Sequence, residues 1–290
     1  MRVILCLSAA LATALSNPAH SEQLTIATWN LEHFSGADGT GCNPRNQSSY
    51  DDIRRIINAV DADIWLFQEV DTIGSLARIM DTTGWRLRSE GRTDRVPPGK
   101  CQSGGNDQTM QKVVTAVNKR IPIRSERELS FLDTSGYGAL RHGLSTTVFL
   151  NSQPVVVVNI HLKAGCIEGD ASEACATLFE QIPYLTAYAA QQANNDLPVI
   201  IGGDFNRRLA IEGDAAMNTL AFNKHLGLTI SSHDSSSKCS LQNKQPIDYQ
   251  LVSSSFAALL KDVDAYEHSF NGPFEEWPSD HCPSVVRYTF

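Results

Sequence analysis

A mixed α/β fold with substantial sheet is predicted by three observations. Helical and strand-like segments alternate in the first third of the chain, antiparallel strand pairs follow in the middle, and the composition is that of an ordinary globular protein. Of the 290 residues, 42% are hydrophobic and 19% charged, enough for a large buried core. No internal repeat is evident, and no interior apolar run is long enough to cross a membrane.

Leu24 to Asn30 is apolar and β-branched enough for a strand. Tyr50 to Val60 carries Ile53, Ile56, Ile57 and Val60 at helical spacing, with Asp51 and Asp52 in its first turn and Ser48 or Ser49 as a cap. Asp63 to Phe67 predicts a short buried strand and Ile73 to Met80 another helix. Residues 91–109, rich in Gly, Pro, Asn and Ser, predict a long loop before a strand over Lys112 to Asn118. Leu144 to Leu150 and Pro154 to His161 pair around Asn151-Ser152-Gln153. Glu173 to Asn195 has helical composition, interrupted by Pro183. Leu197 to Gly203, Ile247 to Ser253 and Pro283 to Phe290 are strands, with a polar loop over 231–246.

The first residues stand apart. Arg2, the apolar run Val3 to Leu15 and Ala19-His20-Ser21 predict a secretory signal peptide over residues 1–21, cut ahead of Glu22 and too short for a transmembrane span. A lipoprotein signal at Cys6 is disfavoured, because Cys6 lies inside the apolar stretch. Removing that segment leaves one domain over 22–290, a secreted location and six cysteines, an even number that suggests disulfides. Six cysteines allow about fifteen pairings. Cys166 with Cys175 is the most local, and Cys42 with Cys101 would tie two loops. The net charge of −8 argues against a passive nucleic-acid binder but less against an enzyme, since carboxylates that hold a cation add negative charge.

Several strands end in residues suited to metal or phosphate. The run 25–30 ends in Asn30, 63–69 in Glu69, 155–161 in His161 and 198–206 in Asp204-Phe205-Asn206, while Asp280-His281 precedes the last strand. Singly, each has a plain structural reading as a turn former, cap or solvated loop residue. Their joint occurrence at strand ends points to a shared rim, where a rigid sheet fixes the side chains.

The strings TWNLE (28–32), DIWLFQEV (63–70), NIHLK (159–163), GGDFN (202–206), IDYQLVS (247–253) and SDHCP (279–283) together resemble the endonuclease/exonuclease/phosphatase superfamily, the deoxyribonuclease-like fold, over nearly the whole mature chain. The resemblance implies a four-layer α/β/β/α sandwich of two mixed β-sheets flanked by helices, and a divalent-metal-dependent phosphodiesterase. It implies Glu69 as principal metal ligand, with Asn30 and Asp280 beside the ion. Mg²⁺ is the expected metal, with Mn²⁺ or Ca²⁺ as alternatives, since hard cations prefer oxygen donors. It implies His281 as the base for the attacking water, oriented by Asp248. Asp204 and Asn206 would position nucleophile and phosphate, His161 would contact phosphate or donate a proton toward the leaving oxygen, and Arg141 would contact phosphate. One departure matters: where the deoxyribonuclease branch has a tyrosine and a glutamate that partners the second histidine, this chain has Thr109, Met110 and Gln111. Tyr137 is a candidate replacement from another loop.

The substrate expected is nucleic acid, DNA or RNA, with Arg86, Arg88, Arg92, Arg95 and Lys100 as a modest basic stretch that would follow a phosphate backbone. Sphingomyelin-type phospholipids and inositol phosphates are the alternatives. No paired exposed aromatics and no basic amphipathic segment favour stable membrane insertion, and no protein partner is implied. A catalytically inactive binding module or toxin subunit of the same fold is the non-enzymatic alternative, but none of Glu69, Asp204, Asn206, Asp280 and His281 is lost.

Overall fold

The computed structural model describes residues 23–93, 99–101, 104–239 and 244–290. The signal-peptide reading and Arg95 lie outside the described residues.

Among the described residues, twelve strands form two six-stranded sheets. The first contains β1 (Gln23–Phe34), β2 (Ile64–Val70), β3 (Trp85–Ser89), β4 (Lys112–Asn118), β11 (Asp262–Glu267) and β12 (Ser284–Thr289), in the order β11-β12-β1-β2-β4-β3. The second contains β5 (Ile123–Leu129), β6 (Gly143–Leu150), β7 (Gln153–His161), β8 (Val199–Asp204), β9 (Thr229–Ile230) and β10 (Asp248–Val252), in the order β5-β6-β7-β8-β10-β9. Both are mixed: β1 runs parallel to β2 and β7 parallel to β8, while their other pairings are antiparallel. Helices α1 (Gln47–Val60), α2 (Glu173–Asn194), α3 (Ala215–Ala221) and the single turn α4 (Ser254–Ala257) complete the fold.

Three apolar clusters account for the four layers. Ile26, Leu66, Val157, Ile200 and Val286 pack between the two sheets. Trp29, Trp65, Phe67 and Val114 meet Ile53 and Ile57 of α1 on the outer face of the first sheet. Val158, Ile160 and Ile201 meet Leu178, Ile182 and Leu185 of α2 on the outer face of the second. Strands buried on both faces carry nearly continuous apolar runs, as β1, β7 and β8 do. Three buried amides bolt the sheets together. Gln68 Nε2 donates to Asn159 Oδ1 at 2.8 Å, Asn159 Nδ2 to Val114 O at 3.0 Å, and Gln250 Nε2 to Ile26 O at 2.9 Å. Polar groups in such an interior cost stability unless paired, so these bonds fix one register of sheet on sheet.

Some local expectations shift. The first helix is capped by Asn46, whose side chain accepts from Ser49 N, so Asp51 and Asp52 lie beyond its first turn. The helix expected over Ile73 to Met80 is a 3-10 helix, Ile73–Arg78, capped by Thr72. Helix α2 runs through Pro183 without a break. A proline costs a helix interior roughly 3 kcal/mol, and burying the Leu178, Ile182 and Leu185 face outweighs it. Strands β3, β5 and β11 and helix α3, which periodicity did not single out, are mostly half-exposed or short elements with weak patterning.

Six cysteines pair as Cys42–Cys101, Cys166–Cys175 and Cys239–Cys282. The first closes a loop with a sequence separation of 59. Replacing both Cys42 and Cys101 by Ser should lower Tm by about 5–10 °C in a thermal melt, since closing such a loop restricts the unfolded chain. An unchanged melting curve would show that this link carries no stability.

Candidate active site

Sheet register builds the first part of the site. Asp204, the last residue of β8, lies opposite His161 at the end of β7 and Asp248 at the start of β10. Residues paired across neighbouring strands share a face, so the three side chains stand in a row at one rim. His161 Nε2 is 3.4 Å from Asp204 Oδ2. Asp248, Asp204 and His281 offer ligand atoms within 4.8 Å of one another.

The rim depends on two glycines. A Cβ on Gly203 (φ +142°) would sit 2.0 Å from Ile160 O, and one on Gly202 would sit 2.5 Å from Leu66 Cδ1 of the facing sheet. The Gly-Gly pair therefore lets β8 lie against both β7 and the first sheet while it ends in Asp204.

The first sheet supplies the other half. Glu69 on β2 has φ +59° and Asn206 has φ +53°, and Glu32 and His33 also lie in the left-handed region. Strained backbone in side-chain-bearing residues concentrates where geometry is over-determined by function. Glu69 accepts the backbone N–H of His33 at 2.9 Å and the Asn30 amide at 3.4 Å. Asn30 Nδ2 also donates to Asp204 Oδ2 at 3.0 Å, while its Oδ1 accepts from Glu32 N at 2.9 Å. Asn30 thus joins a carboxylate from each sheet through one NH₂ group. Asn206 closes the other side, donating its backbone N–H to Asp204 Oδ1 at 2.7 Å and its amide to Asp204 Oδ2 and to Leu162 O, both at 3.1 Å.

The loop carrying Asp280 and His281 is locked over β1. Trp29 Nε1 donates to His281 O at 2.8 Å, Ser279 Oγ donates to Asn30 O at 2.7 Å, and His281 N donates back to Ser279 Oγ at 3.1 Å. Buried Arg45 donates to Leu31 O at 2.6 Å and to Pro278 O at 2.8 Å, tying the same two segments from outside. His281 Nδ1 lies 2.7 Å from Asp248 Oδ2, and its Nε2 faces Asp280 Oδ1 at 3.8 Å.

Charge in this rim is unbalanced. Burial and the neighbouring Asp248 carboxylate push the Asp204 pKa up to about 7, against the opposing pull of His281 and its hydrogen bonds. Burial would lower His281, yet Asp248, Asp204 and Asp280 outweigh it and hold the imidazole well above its ordinary pKa. His161 is pushed well below its ordinary value, first by burial and then by Arg141, so it is neutral at physiological pH. Asp248 Oδ1 and His161 Nδ1 are buried without a hydrogen-bond partner among the described residues. A rim of oxygen donors with surplus negative charge fits a hard divalent cation. Glu69, Asn30 and Asp280 remain the residues proposed to hold it, with Glu69 beside His161 Nε2 at 3.9 Å.

Arg141 precedes β6, donates to Leu162 O at 2.5 Å, and is half-buried, with its Nε buried and unpaired among the described residues, near the Glu69 and Asp204 charges. Lys163 instead bonds its own loop at Ala164 O, and Tyr137 is 60% exposed with no bond to the site. Gln111 reaches the His33 ring at 3.3 Å rather than His161. The basic stretch is not a continuous track. Arg86 and Arg88 are exposed on edge strand β3, where charges block strand addition, and Lys100 pairs with Asp107 at 2.5 Å. Arg92 is buried, 3.4 Å from Glu90, which also accepts His142 N at 2.6 Å. Sequence reasoning missed Glu90, His33 and Glu32. The last two continue the TWNLE string, but only the left-handed turn brings them back toward Glu69 and Asp280.

The sequence matches the model of the endonuclease/exonuclease/phosphatase family over residues 27–281. The chain belongs to this family. Its members hydrolyse phosphoric esters and generally use divalent metal ions. No curated protein matched. Among solved structures, the human nocturnin catalytic domain with bound sulfate superposes with a TM-score of 0.64 at 15% identity, covering 92% of this chain and 93% of that one. TDP2 from Caenorhabditis elegans gives 0.62 at 15%, covering 93% and 75%. A mannosyl-6-phosphatase from Bacteroides thetaiotaomicron gives 0.59 at 18%, covering 92% and 100%. At such identities the likeness is one of fold, the four-layer sandwich that the motifs implied.

A cation entering this rim should expel protons, because the Asp204 carboxyl titrates at about 7 in its absence and a nearby positive charge lowers that value. Titrating Mg²⁺ or Mn²⁺ calorimetrically at pH 6.5, in buffers of different ionisation enthalpy, should show proton release and affinity that rises with pH. Buffer-independent heats would contradict the assignment.

Proposed function

We propose that the protein is a secreted, divalent-metal-dependent phosphodiesterase that cleaves nucleic acid by attack of a His281-activated water on phosphorus. The observation that carries this reading is the row His161, Asp204, Asp248 with His281 bonded to Asp248 and Asn206 folded onto Asp204.

Asp248 holds Nδ1 of His281 and stabilises its imidazolium, which leaves Nε2 to take the proton from water. A cation in the rim would offset the carboxylate charge that raises this imidazole's pKa and so free Nε2 for that role. Neutral His161 has an N–H for a phosphate oxygen without adding charge that would repel Arg141. Arg141 brings a guanidinium, and Asn206 an amide, to the same oxygens. Glu69, with Asn30 and Asp280, would hold the cation. When bound, it offsets the surplus carboxylate charge and stabilises the negative charge that develops on phosphate. Exposed Arg86 and Arg88 on β3 give a modest basic face, which supports nucleic acid over a neutral headgroup. Secretion is supported by the N-terminal pattern and by three disulfides, which persist in oxidising compartments. No helix among the described residues is long and apolar enough to cross a membrane.

A panel of plasmid DNA, linear DNA, RNA, sphingomyelin and inositol phosphates, with and without EDTA, tests the reading. Activity should be highest on nucleic acid, vanish with EDTA and fall at least about 10²-fold in His281→Ala, as general-base removal does. Asp248→Asn should lower kcat with little change in KM, because it disturbs the tautomer and not the binding. Full activity of the His281 variant, or no turnover with Mg²⁺, Mn²⁺ or Ca²⁺, would sink the proposal. N-terminal sequencing of exported protein should begin at Glu22.

A further inference from the structure

A cavity of about 440 Å³ opens beside His281, within the size range of small-ligand sites (roughly 300–1,000 Å³). One wall is the candidate catalytic rim itself, with Asn206, Asp248, Asp280 and His281. Apolar lining comes from Ile167, Pro246, Phe274 and the Cys239–Cys282 disulfide. Glu69, Asn30, His161 and Arg141 do not line it. The cavity therefore runs from the Asp280 and His281 side of the rim, away from Glu69 and Asn30. A phosphate held at Asn206 and His281 places one of its ester substituents there.

The walls are braced before any ligand arrives. Arg208 Nε donates to Gln245 O at 3.1 Å, and its guanidinium pairs with Glu168, which also takes Lys244 at 3.3 Å. These bonds join the loop after β7 to the loop before β10. The Cys239–Cys282 link joins the far loop to the residue next to His281. Phe274 is 43% exposed, and its ring packs on Trp277 at a centroid distance of 5.2 Å, so it is held while keeping open surface. Arg208, His233, Ser237, Gln245, Glu267 and Ser284 add hydrogen-bonding groups. An aromatic ring, apolar lining and hydrogen-bonding groups around them match a flat heteroaromatic group, which offers an apolar face and a polar edge. A sugar alone would leave the Phe274 ring and the apolar lining without a partner, and a lipid chain would call for a longer apolar channel.

We propose that this cavity is a nucleoside subsite that takes one unpaired base of the substrate, making the enzyme selective for single-stranded nucleic acid and small nucleotide diesters over duplex. The proposal rests on the phosphodiesterase reading above. A base inside a duplex must be unpaired and unstacked before it can enter such a recess, and a single strand avoids most of that cost.

The test uses the metal-loaded protein, Phe274→Ala and Ile167→Trp, the second variant filling the cavity without touching the catalytic rim. The substrates are methyl p-nitrophenyl phosphate, thymidine 5′-(p-nitrophenyl phosphate), and one oligonucleotide supplied as single strand and as duplex. Single-stranded cleavage should exceed duplex cleavage by about tenfold or more. Both variants should raise KM for the thymidine ester by about tenfold, the scale of one lost base–aromatic contact, and leave the methyl ester unchanged. Equal strand rates together with unchanged KM in both variants would overturn the subsite while leaving the hydrolase intact. Calorimetric binding of thymidine 5′-monophosphate separates the two readings. Binding that Ile167→Trp abolishes, with no turnover of any ester, would sink the phosphodiesterase and keep the subsite. Turnover of the methyl ester without nucleotide binding would do the reverse.

Discussion

The closeness of the two sheets at Gly202 and Gly203 governs this molecule. With no Cβ at either place, β8 approaches Leu66 on one side and the β7 backbone on the other, and Asp204 arrives beside His161, Asp248 and the Asn30 amide. Any side chain at Gly203 would collide with Ile160 O and separate the strands whose register forms the row. The inter-sheet amides Gln68, Asn159 and Gln250 act at the same level, since their bonds are satisfied in only one relative placement of the sheets.

That placement concentrates like charge. Asp204 and Asp248 share a rim with His281, and Glu69 adds a carboxylate from the facing sheet. In water these groups would repel weakly. In the rim, burial first and then the neighbouring Asp248 raise the Asp204 pKa, while attraction to Asp248, Asp204 and Asp280 raises that of His281. The amides of Asn30 and Asn206 reduce the strain without neutralising it, because they donate hydrogen bonds but carry no charge. The chain thus spends packing stability to keep a site that favours cations, and the surrounding locks, from Arg45 to Ser279 and Trp29, keep that site from relaxing.

A second knot lies one strand over. Glu90 holds His142 N and the Arg92 guanidinium, and Glu128 accepts Gly91 N at 2.7 Å and meets His142 Nδ1 at 2.5 Å. It fixes the segment from which Arg141 enters the rim. The carboxylate absent near Gln111 therefore has no direct substitute at His161, whose Nδ1 stays unpaired. The nearby buried carboxylate serves the backbone around Arg141 instead.

The sequence by itself determined the class of fold, most strands and which polar residues stand at strand ends, because apolar runs that end in Asn30, Glu69, His161 and Asp204 are local patterns written in consecutive residues, as is the Asp280-His281 pair ahead of the last strand. It also left a short list of sensible cysteine pairs that includes two of those formed. Tertiary structure alone decided the rest. The burial of Arg92, the turn that returns His33 to Glu69, the unbroken course of α2 through Pro183 and the cavity beside His281 all depend on contacts between residues far apart in the chain. Those contacts arise from packing two sheets and their helices at once. Burial and register across sheets are properties of neighbours in space, which periodicity along one strand does not encode.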